Sequence, residues 1–157
     1  MTISVAIPGW RTFHLEHLFL DYNGTLALDG RLLSGVAERL TALAVSVQIH
    51  VLTADTFGTA RSEFDSVKCE LVVLQSGDEE RQKADHLERV GADVSVAIGN
   101  GRNDREMLAR AALAIAVLGT EGLAAEAFAV ADIVVPDPVS ALDLLLYPQR
   151  IVATLRS

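Results

Sequence analysis

The sequence predicts an α/β domain built on a mainly parallel sheet with helices on both faces, and three observations carry that prediction. Short apolar runs recur along the chain, at Leu18 to Leu20, Val45 to Leu52, Glu70 to Leu74, Val94 to Ile98, Leu113 to Leu118 and Ile133 to Val135. They are too continuous for half-solvated strands and too short for isolated helices, as strands buried on both faces should be. Segments of about ten residues with helical character separate them, the alternation of a βαβ fold. Three of the strand ends carry polar residues, Asp21, Thr53 and the loop Asn100 to Asp104, and in open parallel sheets ligands bind outside those ends.

The elements follow in order. Residues 2 to 8 read as a strand ending at Pro8-Gly9, and Thr12 to Leu20 as a second extended run, so an N-terminal β-ribbon opens the fold with Trp10 packed at its turn. His14 and His17 lie on opposite faces of that run, which argues against a shared metal. Ser34 can cap a helix from Gly35 to about Ala44 with Val36, Leu40 and Leu43 along one side. Val45 to Leu52 is strand-like, Thr56 to Phe64 helical, and Glu70 to Leu74 a further strand. Asp78 to Val90 has acids in its first turn and Gly91 just past its end, the usual helix asymmetry. Val94 to Ile98 runs as a strand into Gly99-Asn100-Gly101-Arg102-Asn103-Asp104. Arg105 to Ala112 is then helical, with Met107 in the core. Leu113 to Leu118 reads as strand, Glu121 to Phe128 as helix and Ile133 to Val135 as strand. Pro136 and Pro138 stop that strand, and Val139 to Leu146 closes as a helix. His50, within a strand, and His86, on a charged helix face, read as structural or solvated residues.

Composition narrows the class. With 157 residues, half of them hydrophobic, and a mean hydropathy of +0.32, one domain spanning 1–157 with a substantial core is expected. The net charge is −8 and the 13 basic residues are scattered, so nucleic acid is not an expected partner. No apolar stretch approaches the ~20 residues that span a bilayer, so no membrane is expected either. One cysteine, Cys69, forms no internal disulfide, and a cytoplasmic location follows by default. Cys69 stands beside the apolar run at Leu71 and reads as a small core thiol.

The stretch Leu18-Phe19-Leu20-Asp21-Tyr22-Asn23-Gly24-Thr25-Leu26 organises the reading. An apolar run delivers one carboxylate to a tight loop whose backbone N–H groups can surround an anion. Asp21 there could act as nucleophile, metal ligand, or both. An acidic chain gives such an anion no help through its overall field, so the site must supply its own local donors and cation.

With Asp21-Tyr22-Asn23-Gly24-Thr25-Leu26, then Leu52-Thr53-Ala54, then Lys83, then Gly99-Asn100-Gly101-Arg102-Asn103-Asp104, the chain resembles the haloacid dehalogenase superfamily of phosphoryl-transfer proteins. The four motifs stand in that family's order over Leu18 to about Val135. Within it, the nearest likeness is to the phosphorylation domain of P-type ATPases, without the membrane helices. The resemblance implies a Rossmann-like three-layer sandwich and a Mg²⁺ ion held by Asp21, the Asn23 carbonyl, Asn100 and Asp104. It makes Asp21 the nucleophile that becomes an aspartyl-phosphate, with Asn23, Thr53 and Lys83 as its catalytic partners. A phosphoryl group would be held by Thr53, Ala54, Lys83, Asn103 and the loop Tyr22-Asn23-Gly24. Lys83 would balance the charge of Asp21 and the transferred group. Gly99 and Gly101 would let the fourth loop turn.

Two departures shape the expected chemistry. Many phosphatases of the superfamily carry a second Asp two positions after the nucleophile as general acid and base; here that position is Asn23. An amide cannot carry the proton, and losing general acid–base catalysis costs ~10²–10⁴ in rate, so slow turnover or a long-lived phospho-Asp21 is expected. Asn100 replaces a common metal-binding Asp, so metal affinity should fall, and Asp55 could supplement the site or simply start a helix in solvent. No cap domain fits between the motifs, so the pocket should be open. The expected substrate is a phosphorylated small molecule, with a homo-oligomer, through the apolar Ile3 to Ile7 ribbon, as the source of a further wall. The alternative function is a catalytically weakened phosphate- or metal-binding regulator that acts through a partner.

Overall fold

The computed structural model describes residues 1–54 and 58–157. The chain opens with an antiparallel ribbon, β1 (Ile3–Ala6) against β2 (Thr12–Leu15). The extended run expected through Leu20 breaks at Glu16, whose N–H bonds Val94 and whose carbonyl accepts from Gln48, and a new strand, β3 (His17–Asp21), enters the main sheet. A small hairpin follows, β4 (Ala27–Leu28) with β5 (Arg31–Leu32). Two-residue strands carry no readable periodicity, so the sequence did not announce it.

The elements up to α6 alternate as expected, and one more helix follows: α1 (Val36–Leu43), β6 (Gln48–Thr53), α2 (Thr59–Glu63), β7 (Glu70–Val73), α3 (Glu79–Val90), β8 (Ser95–Gly99), α4 (Arg105–Arg110), β9 (Leu113–Val117), α5 (Ala125–Val130), β10 (Ile133–Val135), α6 (Pro138–Leu146) and α7 (Gln149–Leu155). Six strands form one parallel sheet in the order β10-β9-β8-β3-β6-β7. The chain builds outward from β3 through β6 to β7, then returns to the other side of β3 with β8, β9 and β10. That reversal beside β3 is the switch point where a crevice opens at the carboxyl ends.

Side chains alternate between the two faces. Leu18 and Leu20 of β3, with Ile49 and Val51 of β6, pack on a core that includes α1, α6 and α7, whereas Phe19 and Leu52 pack on α3, α4 and α5. Burying each such side chain contributes about 1.5–3 kcal/mol, which makes the register of β3 hard to change. That register turns Asp21 to the same face as Phe19, toward α3.

Four local readings change. Ser34 does not cap α1; Gly35 stands at that position with φ 87° and no side-chain bond closes the end. Residues 121–124 form a turn and an extended lead-in, not helix. The C-terminal α7 packs against β1 and was not assigned from sequence. Ile3, Val5 and Ile7 are buried in the chain's own core, so the ribbon is not the free apolar contact surface expected of it. Trp10, half exposed, lies edge-on to Phe13 at the ribbon turn. Among the described residues no helix is long and apolar enough to cross a membrane.

Candidate active site

Three loops and one helix converge at the carboxyl end of β3. Asp21 ends that strand, Thr53 ends its neighbour β6, and the turn after β8 carries Asn100 to Asp104. Helix α3 lies across this face with Ala84, His86 and Leu87 inward, and the same stripe brings in Lys83, which is 2% exposed. A Lys among these apolar neighbours needs partners to stay charged. It has them: its Nζ donates to Asp21 Oδ1 at 2.7 Å, Asp104 Oδ1 at 2.8 Å and Asn103 Oδ1 at 3.2 Å.

A pocket of about 320 Å³ opens over this group, lined by Asp21, Asn23, Thr53, Ala54, Lys83, Asn100 and Asn103, with Glu79, Gly101 and Glu121. Most of the residues expected at the site therefore meet there. Three take other places. The Tyr22 side chain lies in the core with its hydroxyl donating to Gly30 O at 2.7 Å, so only its backbone belongs to the loop. Gly24, at φ +79°, sits in the adjoining hollow, where a Cβ would strike the Glu121 carboxylate. Asp104 is fully buried behind Lys83, and its Oδ2 accepts from the backbone N–H of Asn100 at 3.1 Å and of Gly101 at 2.9 Å. Asp104 thereby positions Lys83 and braces the loop, and it is not among the residues that line the pocket. Asp55 lies outside the described residues.

The glycines of the fourth motif act differently from expectation. Neither Gly99 nor Gly101 has a positive φ. A Cβ on Gly99 would stand 2.6 Å from the Asp104 carboxyl carbon, so what Gly99 allows is the close approach of that carboxylate.

Three participants were missed from sequence, among them Glu79 of α3, whose Oε2 accepts from Asn103 Nδ2 at 3.3 Å. Thr25, fully buried, places its hydroxyl 2.9 Å from Asp21 Oδ2 and 3.0 Å from Asn100 Oδ1. It lies inside the first motif, so the signal was in view. Glu121 comes from the turn after β9, far away in sequence, and gave no signal; it adds a carboxylate to the wall shared with Asn100.

The electrostatics are unbalanced. Two buried carboxylates face one ammonium, leaving a net negative charge in a nearly dry place. Burial first, and then repulsion from Asp104, push the Asp21 carboxyl up to about 7 despite Lys83. Burial opposes the Lys83 charge, but Asp21 and Asp104 hold its pKa above the ordinary value. Such a surplus of negative charge, ringed by the oxygen donors of Asn23, Asn100 and Glu121, fits a hard divalent cation.

The fold is shared with solved structures of phosphatases and with hydrolases assigned to the haloacid dehalogenase superfamily. The chain superposes on 3-deoxy-D-manno-octulosonate 8-phosphate phosphatase from Moraxella catarrhalis, crystallised with magnesium, phosphate and the sugar acid. The TM-score is 0.70 at 14% identity, over 88% of this chain and 90% of that one. The cobalt-bound enzyme of the same name from Haemophilus influenzae gives 0.71 at 15% identity, over 91% and 94%. A hydrolase assigned to the superfamily from Legionella pneumophila gives 0.72 at 16%, over 90% and 87%.

In sequence, the chain belongs to one family with the uncharacterized protein MJ0072 of Methanocaldococcus jannaschii, 51% identical over 39 residues that make up 25% of this chain and 89% of that protein. The uncharacterized protein MJ0073 of the same organism is 49% identical over 61 residues, 39% of this chain, and the match spans 66% of its length. No family model matches the chain.

Proposed function

We propose that this protein is a Mg²⁺-dependent phosphohydrolase of small phosphorylated molecules that works through an aspartyl-phosphate on Asp21. The observation that carries the proposal is the Lys83 bridge between Asp21 and Asp104 at the floor of an open polar pocket. The superposed phosphatases, one crystallised with phosphate and magnesium, support the substrate class and the cation. The likeness to P-type ATPase phosphorylation domains rests on the motifs and supports the covalent step.

Asp21, the Asn23 carbonyl and Asn100 would hold Mg²⁺, which would neutralise phosphoryl oxygens. An Asp21 oxygen attacks phosphorus as the P–O bond to the leaving group breaks, and water then attacks phosphorus and releases inorganic phosphate. Lys83 favours the ionised form of Asp21 and holds it in place, and the Thr53 hydroxyl with the loop N–H groups would hold the phosphoryl oxygens. Asn23 stands at the exposed rim, where a general acid would be needed, and supplies no proton. Leaving groups that need no proton, such as aryl and acyl phosphates, should therefore react best.

This makes Asn23→Asp a gain-of-function substitution. Turnover of alkyl phosphates should rise ~10²-fold or more, with a smaller rise for p-nitrophenyl phosphate, because only the former depends on protonation. Equal changes for both substrates would reject the role given to that position. Glu121→Gln should weaken Mg²⁺ activation several-fold with little change in melting temperature, since Glu121 contributes charge to the pocket wall and not to the core. Magnesium titrations of phosphate release measure this directly.

The amides at positions 23 and 100 support a second reading, a regulator that binds phosphate or metal with little turnover. Beryllium fluoride with Mg²⁺ would then raise the melting temperature while no phosphate ester is hydrolysed. A homo-oligomer would add a wall to the open pocket, and a cytoplasmic setting suits a substrate of this class.

A further inference from the structure

The sheet face that carries Asp21 holds a second cluster nearer the other end of the strands. His17 begins β3, His50 stands opposite Phe19 on β6, Glu70 pairs with His50 from the edge strand β7, and His86 enters from α3. At ~3.3 Å per residue, His17 lies roughly 13 Å along β3 from Asp21. Phe19 fills the space between, stacked on the His50 ring at 4.4 Å.

Both inner imidazoles are enclosed, and one is incompletely used. His50 is 1% and His86 8% exposed, and His86 Nε2 makes no hydrogen bond. Glu70 Oε2 is 2.8 Å from His50 Nδ1, a contact that favours the charged ring against the opposing effect of burial. One donor atom from each of His50, Glu70 and His86 can be chosen so that all lie within 4.8 Å of one another. Burial lowers the pKa of both rings and so disfavours their charged form.

We propose that His50, Glu70 and His86 form a metal site for Zn²⁺ or a similar first-row cation, separate from the aspartate pocket. Two imidazoles and one carboxylate are a borderline donor set that suits Zn²⁺ and discriminates against Mg²⁺. Water from the exposed side of Glu70 completes four-coordination. Tetrahedral ligands at ~2.0–2.1 Å from zinc stand ~3.4 Å apart, so the site forms by shifts of about an ångström or less in side chains. The outer shell is already in place: His50 Nε2 lies 3.2 Å from His17 Nδ1, so metal on Nδ1 leaves an Nε2–H that donates to His17. Bound metal would pin β6, the edge strand β7 and α3 together.

One neighbour opposes it. Arg89 donates to His86 Nδ1 at 2.5 Å, which places the proton of the neutral ring on Nε2, the nitrogen that must ligate. Binding therefore moves that proton to Nδ1 and sends the exposed Arg89 side chain to solvent. Arg89 is in this sense a competitor built into the site.

The test is calorimetric titration of chelator-stripped, full-length protein with Zn²⁺ in saturating Mg²⁺, which keeps the aspartate pocket occupied. One Zn²⁺ per chain is expected, with a rise in melting temperature. Glu70→Gln, at a half-exposed position, and His86→Gln should each weaken it at least 100-fold, since losing even outer-shell partners costs ~10–100-fold. Arg89→Gln should bind Zn²⁺ more tightly, by several-fold to about tenfold, through loss of a charged hydrogen bond and a nearby positive charge. Circular dichroism of the metal-free variants shows that they fold. No stoichiometric binding by the parent protein, or binding that is unchanged in Glu70→Gln and His86→Gln, overturns the proposal.

Discussion

Asp21→Asn should abolish phosphate release, by at least ~10³-fold, and should also make the metal-free protein more stable at neutral pH. The second effect follows from the raised pKa. Asp21 titrates near 7 in the fold against an ordinary value of 3.8, so the folded chain holds this proton more tightly than the unfolded one. The contribution to stability is complete below about pH 4 and is lost as the pH rises through 7. Each unit of difference is worth ~1.4 kcal/mol, so the loss amounts to about 4 kcal/mol and about 9–18 °C in melting temperature. Melting curves in EDTA from pH 4.5 to 8 measure it. The parent should show the decline, Mg²⁺ should reduce it, and Asp21→Asn should flatten it. A parent profile that is flat without metal would contradict the uncompensated charge, and full activity in the variant would remove Asp21 as nucleophile.

Lys83→Met is expected to be the most damaging substitution on the molecule. It leaves Asp21 and Asp104 buried side by side with no counter-charge, and breaking a buried pair from one side costs ~3–5 kcal/mol. The melting temperature at pH 8 should fall by about 6–20 °C, with no detectable turnover. Adding Asp104→Asn to Lys83→Met removes one of the stranded charges and should recover part of the stability but none of the activity. Denaturant unfolding of the single and double variants separates the two effects. A double variant no more stable than Lys83→Met would show that repulsion between these carboxylates is not what the lysine relieves.

Much of this site was legible in the sequence because it depends on strand ends. A run such as Leu18 to Leu20 fixes both the strand and its direction, so the residue that follows falls at the rim; Thr53 and Asn100 follow the same rule. Lys83 was legible only through the order of motifs, since its charged helix gives no hint that this residue turns inward while Arg81 and Asp85 remain exposed. Other features depend on contacts between distant segments. Whether Asp104 faces the pocket or backs Lys83 is decided by the Asn100 and Gly101 amides, and the place of Glu121 by the path of a turn. His86 was read as solvated because its neighbours are charged, yet a helix rotation of one residue separates the wet face from the sheet, and the histidine lies on the inner side. The break at Glu16 could not be seen within one continuous extended run, because it is set by partners at Gln48 and Val94.

The Thr25 hydroxyl carries a single hydrogen but stands within reach of two acceptors, one on the first loop and one on the fourth. It can serve only one at a time. A bare Asp21 carboxylate is the stronger claimant, and the proposed esterification of Asp21 would free the hydrogen for the Asn100 amide. The proposed covalent state of the first loop would then reach the fourth through a rotating bond, and a valine at position 25, close in shape but mute, would break that link.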